Sequence, residues 1–140
     1  MTEDEHLAAF GLRPSPEDLP AIRSVLDAET SRERTAQGSG DTELMKLCCV
    51  QLFNSGRPDD ILLIWRAKDA SFDAACSIDV QLLCGSGLQQ TKTYLSEQAT
   101  PDAQAALSYL TECEEAGDFV DFSVVECTRE WSSYYYGDGA

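Results

Sequence analysis

The chain is 140 residues long, with 25 acidic against 10 basic residues and a formal net charge of -15. That length fits one domain with a single buried core, and no apolar run approaches the roughly 20 residues that a membrane span requires. The acidity, with a pI near 4.1, opposes binding to nucleic-acid phosphates or anionic lipid; it either favours a basic protein partner or serves solubility alone.

Residues 1–14 carry Glu3, Asp4 and Glu5 followed by a small apolar patch of Leu7, Ala8, Phe10 and Leu12. They read as a flexible acidic arm or a short docking helix, and the absence of a basic n-region and an apolar core in Met1–His6 predicts a cytoplasmic location. Residues 15–136 are expected to form a single all-α domain, and 137–140 a disordered tail. Ser15-Pro16-Glu17-Asp18 is a helix start with Ser15 as N-cap, although Pro20 can move the start a few residues on. Leu19, Ile22, Val25 and Leu26 give an apolar stripe at helical spacing. Glu29 to Gln37 is wholly polar, which predicts a fraying second half, and Gly38-Ser39-Gly40 makes a flexible joint.

Asp41 is the next cap, and Leu44, Met45, Cys48, Cys49, Leu52 and Phe53 fall on one half of the following helix. Asn54-Ser55-Gly56 stops it, and Arg57-Pro58-Asp59-Asp60 starts another. Ile61 to Trp65 is apolar on nearly all sides, which places that helix in the middle of the bundle. Ser71 to Cys84 reads as one amphipathic helix burying Phe72, Ala75, Cys76, Leu82 and Leu83, with Asp73, Ser77 and Gln81 on the opposite face. Gly85-Ser86-Gly87 ends it before Leu88 to Glu97. Thr100-Pro101-Asp102 opens a helix carrying Ala103, Ala106, Leu107, Leu110 and Cys113 on one face, and a last helix is predicted from about Asp118 to Tyr135.

Val50-Gln51-Leu52-Phe53 with Ser55-Gly56 returns as Val80-Gln81-Leu82-Leu83 with Ser86-Gly87, and Gly56, Gly87 and Gly117 recur at intervals of 31 and 30 residues. A leucine-rich helix, a glycine turn and a second helix at that period resemble ankyrin-like or tetratricopeptide-like hairpins over residues 43–131. No copy has the Thr-Pro-Leu-His opening of an ankyrin repeat, so only the architecture is carried over. The resemblance implies six to seven helices stacked as antiparallel hairpins, a short α-solenoid, with an irregular helical bundle as the other arrangement.

The six cysteines (Cys48, Cys49, Cys76, Cys84, Cys113, Cys127) lie inside apolar patterns and read as reduced, buried thiols. None forms a C-x-x-C pair and the only histidine, His6, sits near the fraying terminus, so no metal and no cofactor is expected. Asp79 falls on the helical wheel between Phe72, Ala75, Leu82 and Leu83 and is predicted to be a buried polar group. It is expected either to be satisfied by a helix N-terminus, Arg66, Lys68 or Lys46, or to face a pocket with a raised pKa.

From Glu97 onward ten acids face one base, Arg129. Within that stretch Glu112, Glu114, Glu115, Asp118, Asp121 and Glu130, with the aromatic pair Tyr135 and Tyr136, are the candidate partner-binding residues, because aromatics anchor interfaces and acids steer basic partners. Trp131 and Tyr134 are assigned to the core. Asp59 and Asp60 form a second acidic candidate group, alongside a helix-capping role. The chain has no G-x-G-x-x-G, no Walker loop and no G-x-S-x-G, and paired carboxylates among so many acids are nonspecific. A non-enzymatic module binding a basic protein is therefore predicted, most concretely an immunity protein neutralising a toxin; the alternative is a scaffold docking a partner helix in an apolar groove.

Overall fold

The computed structural model describes residues 1–137 and is built from eight α-helices with three short 3₁₀ turns; no strand occurs among the described residues. The helices are α1 (Glu3–Phe10), α2 (Leu19–Thr35), α3 (Thr42–Ser55), α4 (Ile61–Lys68), α5 (Phe72–Ser77), α6 (Leu88–Glu97), α7 (Pro101–Glu115) and α8 (Val124–Tyr136). The expected all-α class is what folds, with α1 added to the six or seven helices anticipated. No helix among the described residues is long and apolar enough to cross a membrane.

The centre of the molecule is α3. Every residue from Leu44 to Phe53 is buried, and α1, α2, α4, α5 and the Val80–Cys84 turn all pack against it. The sequence pattern had given that central place to α4, but there Leu62 and Leu63 are only half-buried and Arg66 is exposed. Two polar side chains inside the buried stretch of α3 are satisfied. Lys46 Nζ donates to Tyr134 Oη at 2.9 Å and to Glu43 Oε2 at 2.9 Å. Gln51 meets His6 Nε2 at 2.8 Å through its Oε1 and donates from Nε2 to the Gly11 carbonyl at 2.7 Å.

That Gln51 bridge explains why residues 1–14 are not a loose arm. His6 is 0% exposed, and Asn54 Nδ2 holds the Leu12 carbonyl at 2.8 Å, so α1 and the chain after it are fastened to α3. The polar half of α2 is likewise helical to Thr35, because Glu33 is buried and ties the expected flexible joint. Its Oε1 accepts from the backbone N–H of Gly38 and Gly40 at 3.0 Å each, and its Oε2 accepts from Ser71 Oγ at 2.6 Å. A Cβ at Gly40 would lie 2.6 Å from the Glu29 carbonyl oxygen, so the close approach of α2 to this turn requires glycine.

Helix starts follow the capping chemistry. Asp41, Ser71 and Thr100 accept from the backbone N–H of Leu44, Ala74 and Ala103 at 3.1, 3.0 and 3.2 Å. Ser15 does not cap a helix: a 3₁₀ turn fills Pro16–Asp18, and α2 begins at Leu19 with Pro20 in its first turn.

The segment read as one helix from Ser71 to Cys84 is two pieces. α5 ends at Ser77, Ile78 and Asp79 are extended (φ -101°, ψ 109° and φ -66°, ψ 141°), and Val80–Cys84 winds as a 3₁₀ turn. Phe72, assigned to the core, is 75% exposed. The two echoing segments thus differ in conformation, Val50–Phe53 being α-helical and Val80–Leu83 being 3₁₀. The last helix starts at Val124, later than expected, with Ser123 Oγ accepting from Glu126 N at 3.1 Å. Turns occupy the preceding residues and bury Phe119. Of the tail 137–140, Gly137 caps α8; the rest lies outside the described residues.

Candidate functional site

Three segments far apart in the chain converge beside the 3₁₀ turn: Asp79 with the turn itself, the residues after α7, and the first turns of α8. Asp79 and Asp118 line a cleft of about 370 Å³, and Asp121, Glu126 and Glu130 line an adjoining depression of about 170 Å³. Gln81 belongs to both. Its side-chain amide fixes the junction, with Nε2 donating to the Asp118 carbonyl oxygen at 2.7 Å and Oε1 accepting from Cys127 Sγ at 3.8 Å. One amide thus ties together the segments that carry these carboxylates.

Local backbone chemistry aims these acids outward. Asp79 Oδ1 accepts from Gln81 N at 2.8 Å, which caps the 3₁₀ turn and keeps Asp79 at the surface. Asp121 has φ 61°, a left-handed conformation that aspartate tolerates better than most residues. Glu126 is the third residue of α8 and completes a Ser-x-x-Glu start with Ser123, while also pairing with Arg129. Among the acids stands an apolar side chain that no core claims: Val120 is 73% exposed and lines the smaller depression. Phe72 lies one turn before Cys76 on α5, and Cys76 lines the larger cleft.

No family model, curated protein or solved structure matches this chain. The chemistry of the groove is therefore carried by its own residues.

Of the acids expected at a partner surface, Asp118, Asp121 and Glu130 come together in this groove. Glu112 and Glu115 are exposed at the end of α7, where Glu114 is engaged by Lys92 at 2.8 Å. Asp59 is exposed, but Asp60 is not available to a partner: it is buried and accepts from Arg23 Nε and Nη2 at 2.7 and 3.0 Å. The aromatic assignment is reversed in part. Tyr134, expected in the core, is 57% exposed, whereas Tyr135 is half-buried with an unpartnered hydroxyl, and burial pushes its pKa up. Tyr136 is exposed and lines a separate depression with Leu12 and Thr128. Asp79, predicted to be buried, is exposed, because the helix that would have turned it inward ends before it.

Three residues were not assigned to the site from the sequence: Gln81, named only for the polar face of a helix, Glu126, and Lys68, named only as a possible partner of Asp79, whose cleft it lines. The repeated Val-Gln-Leu triplet was the available signal for Gln81. In each copy the glutamine bridges to another segment: Gln51 to α1, Gln81 to residue 118 and α8.

The thiols of Cys48, Cys84 and Cys127 are buried and unreactive. Burial pushes Cys127 up to about 11, and Cys48 and Cys84 up to about 12, so these are protonated at neutral pH. Cys76 is exposed, contrary to its expected burial. No group of three or more His, Cys, Asp or Glu among the described residues is placed to hold a metal ion.

Proposed function

We propose that this protein is an acidic binding module of the cytoplasm whose groove receives a basic protein. The observation that carries this reading is the alignment of Asp79, Asp118, Asp121, Glu126 and Glu130 along two depressions joined by Gln81. In a chain of net charge -15 such a groove concentrates negative potential and attracts a cationic partner over long range. The exposed Val120 within it, and Phe72 one helical turn from the Cys76 of its wall, supply the apolar contacts that charge alone does not.

The most concrete form is an immunity protein: a nuclease toxin presents a basic substrate groove, and an acidic, apolar-studded surface can occupy it and exclude nucleic acid. The acids at the end of α7, Glu112, Glu114 and Glu115, precede Asp118 directly in the chain and extend the same field.

The test is affinity capture with wild-type protein and with Asp118→Lys/Asp121→Asn/Glu130→Lys, followed by mass spectrometry of what each retains. Asparagine is used at Asp121 because it tolerates the left-handed backbone. A basic protein retained by the wild type and lost by the variant supports the reading. Identical retention by both contradicts it.

A further inference from the structure

Lys68 is a cation in an unusual place. The residue is 5% exposed, yet it forms part of the floor of the 370 Å³ cleft. Its Nζ donates to the Ala75 carbonyl at 2.6 Å and to the Ile78 carbonyl, both near the carboxyl end of α5, and lies 5.6 Å from the Tyr109 ring centroid. No carboxylate among the described residues lies within ion-pair distance of it. A buried ammonium hydrogen-bonded only to neutral dipoles, with the Asp79 carboxylate acting on it from beyond ion-pair distance, is incompletely compensated: burial pushes its pKa down and the charge of Asp79 offsets this only in part. An anionic group entering the cleft would supply the missing counter-charge.

A simple anion is nevertheless a poor fit. Asp79 and Asp118 line the same cleft and are exposed, and the chain as a whole repels negative ligands. A ligand that carries its carboxylate together with a cation answers both charges. The cleft volume falls at the small end of the range for small-molecule sites, and Tyr109 and Trp131 give it half-buried aromatic walls.

We propose that this cleft binds a free amino acid as a zwitterion, with the ligand carboxylate on Lys68 Nζ and the ligand ammonium toward Asp79 and Asp118. The protein-binding reading needs only the acids of the groove; this one needs Lys68. The two are therefore separable.

The experiment is a titration of the full chain, followed by ¹H–¹⁵N NMR, with each of the common L-amino acids up to roughly 10 mM, which covers the millimolar affinities of few-atom ligands. The expected result is saturable shifts of backbone amides in 75–81 and at Tyr109 and Asp118 for at least one amino acid. Its N-acetyl form and its carboxamide should each bind about tenfold more weakly or worse, because each loses one charge-assisted contact. Asp79→Asn, a surface substitution that keeps the capping acceptor, should weaken binding of the free amino acid and leave the fold intact; Lys68→Met should abolish it. If Lys68→Met does not fold, the ligand derivatives and Asp79→Asn decide the matter. Failure of every amino acid to shift the cleft amides overturns the proposal, as does binding that is indifferent to acetylation and amidation.

Discussion

The Gln81 side chain donates from Nε2 to the Asp118 carbonyl oxygen at 2.7 Å, and through that bond the 3₁₀ turn holds the residues that follow α7. The same amide accepts from Cys127 at the start of α8. Gln81→Ala should therefore cost about 1 kcal/mol by urea denaturation, the range for losing one exposed hydrogen bond and one partly buried, weaker bond from a thiol. Amide exchange at residues 118–121 should also speed up in the variant. Unchanged exchange there would mean that the turn is held by its own packing, Phe119 above all.

Gly85 follows that turn directly, with φ -62° and ψ -22°, a conformation open to any residue. Its need for glycine is purely steric, since a Cβ would lie 2.3 Å from the Phe53 carbonyl oxygen. Gly85→Ala should destabilise the fold by about 2–3 kcal/mol, because the contact is with the backbone of central α3 and neither side can yield cheaply. The Tm measured by calorimetry checks this; a Tm equal to the wild type would show that α3 and the turn separate freely.

Arg23 and Asp60 form a two-bond pair in which Asp60 is nearly buried and Arg23 about one-third exposed. The two single substitutions should differ. Arg23→Ala leaves a buried carboxylate alone and should cost about 2–3 kcal/mol, whereas Asp60→Ala lets the arginine turn to solvent and should cost about 1–2 kcal/mol. A double-mutant cycle by chemical denaturation measures the coupling.

His6 sets an acid limit on stability. Its Nδ1 has no hydrogen-bond partner and its Nε2 faces Gln51, so the neutral ring fits and the imidazolium does not. Burial pushes its pKa below the ordinary 6.5. In the window between the depressed and the ordinary value the unfolded chain binds a proton that the folded chain refuses. The stabilisation is thus complete above about pH 6.5 and declines as pH falls through that window. Glu33, whose pKa is lowered by the Ser71 hydroxyl and the backbone of Gly38 and Gly40, adds a second loss at lower pH. Unfolding free energy followed from about pH 7 to pH 5 should fall in the wild type and stay flatter in His6→Gln. Parallel profiles would assign the decline to other groups.

Helix existence and capping were legible in the sequence because they depend on neighbours in the chain. Asp41, Ser71 and Thr100 each cap the residue three positions on, and Gly56 sits at the end of α3 in the left-handed conformation, φ 69°, that a stop requires. The break after Ser77 was not legible. No glycine or proline lies between Ser71 and Cys84, and the apolar spacing continues smoothly through Ile78. What ends α5 is tertiary: Lys68 takes the Ala75 and Ile78 carbonyls, and Asp79 spends its carboxylate on the next turn. That single break moved Asp79 from the predicted interior to the surface. The burial of Asp60 was hidden for a similar reason, since Arg23 meets it from a distant helix. The acids of the groove were identifiable as residue types but not as a set, because Gln81 brings them together across three segments.

The central claim is that the groove recruits a cationic protein by charge. Its most direct test is the association rate of the captured partner, measured by stopped-flow over a range of salt, for wild type and Asp118→Lys/Asp121→Asn/Glu130→Lys. The wild-type rate should fall steeply as salt rises from about 0.01 to 0.15 M. The variant should associate at least about tenfold more slowly at low salt with a flatter dependence. Equal rates for both proteins, unaffected by salt, would contradict the account.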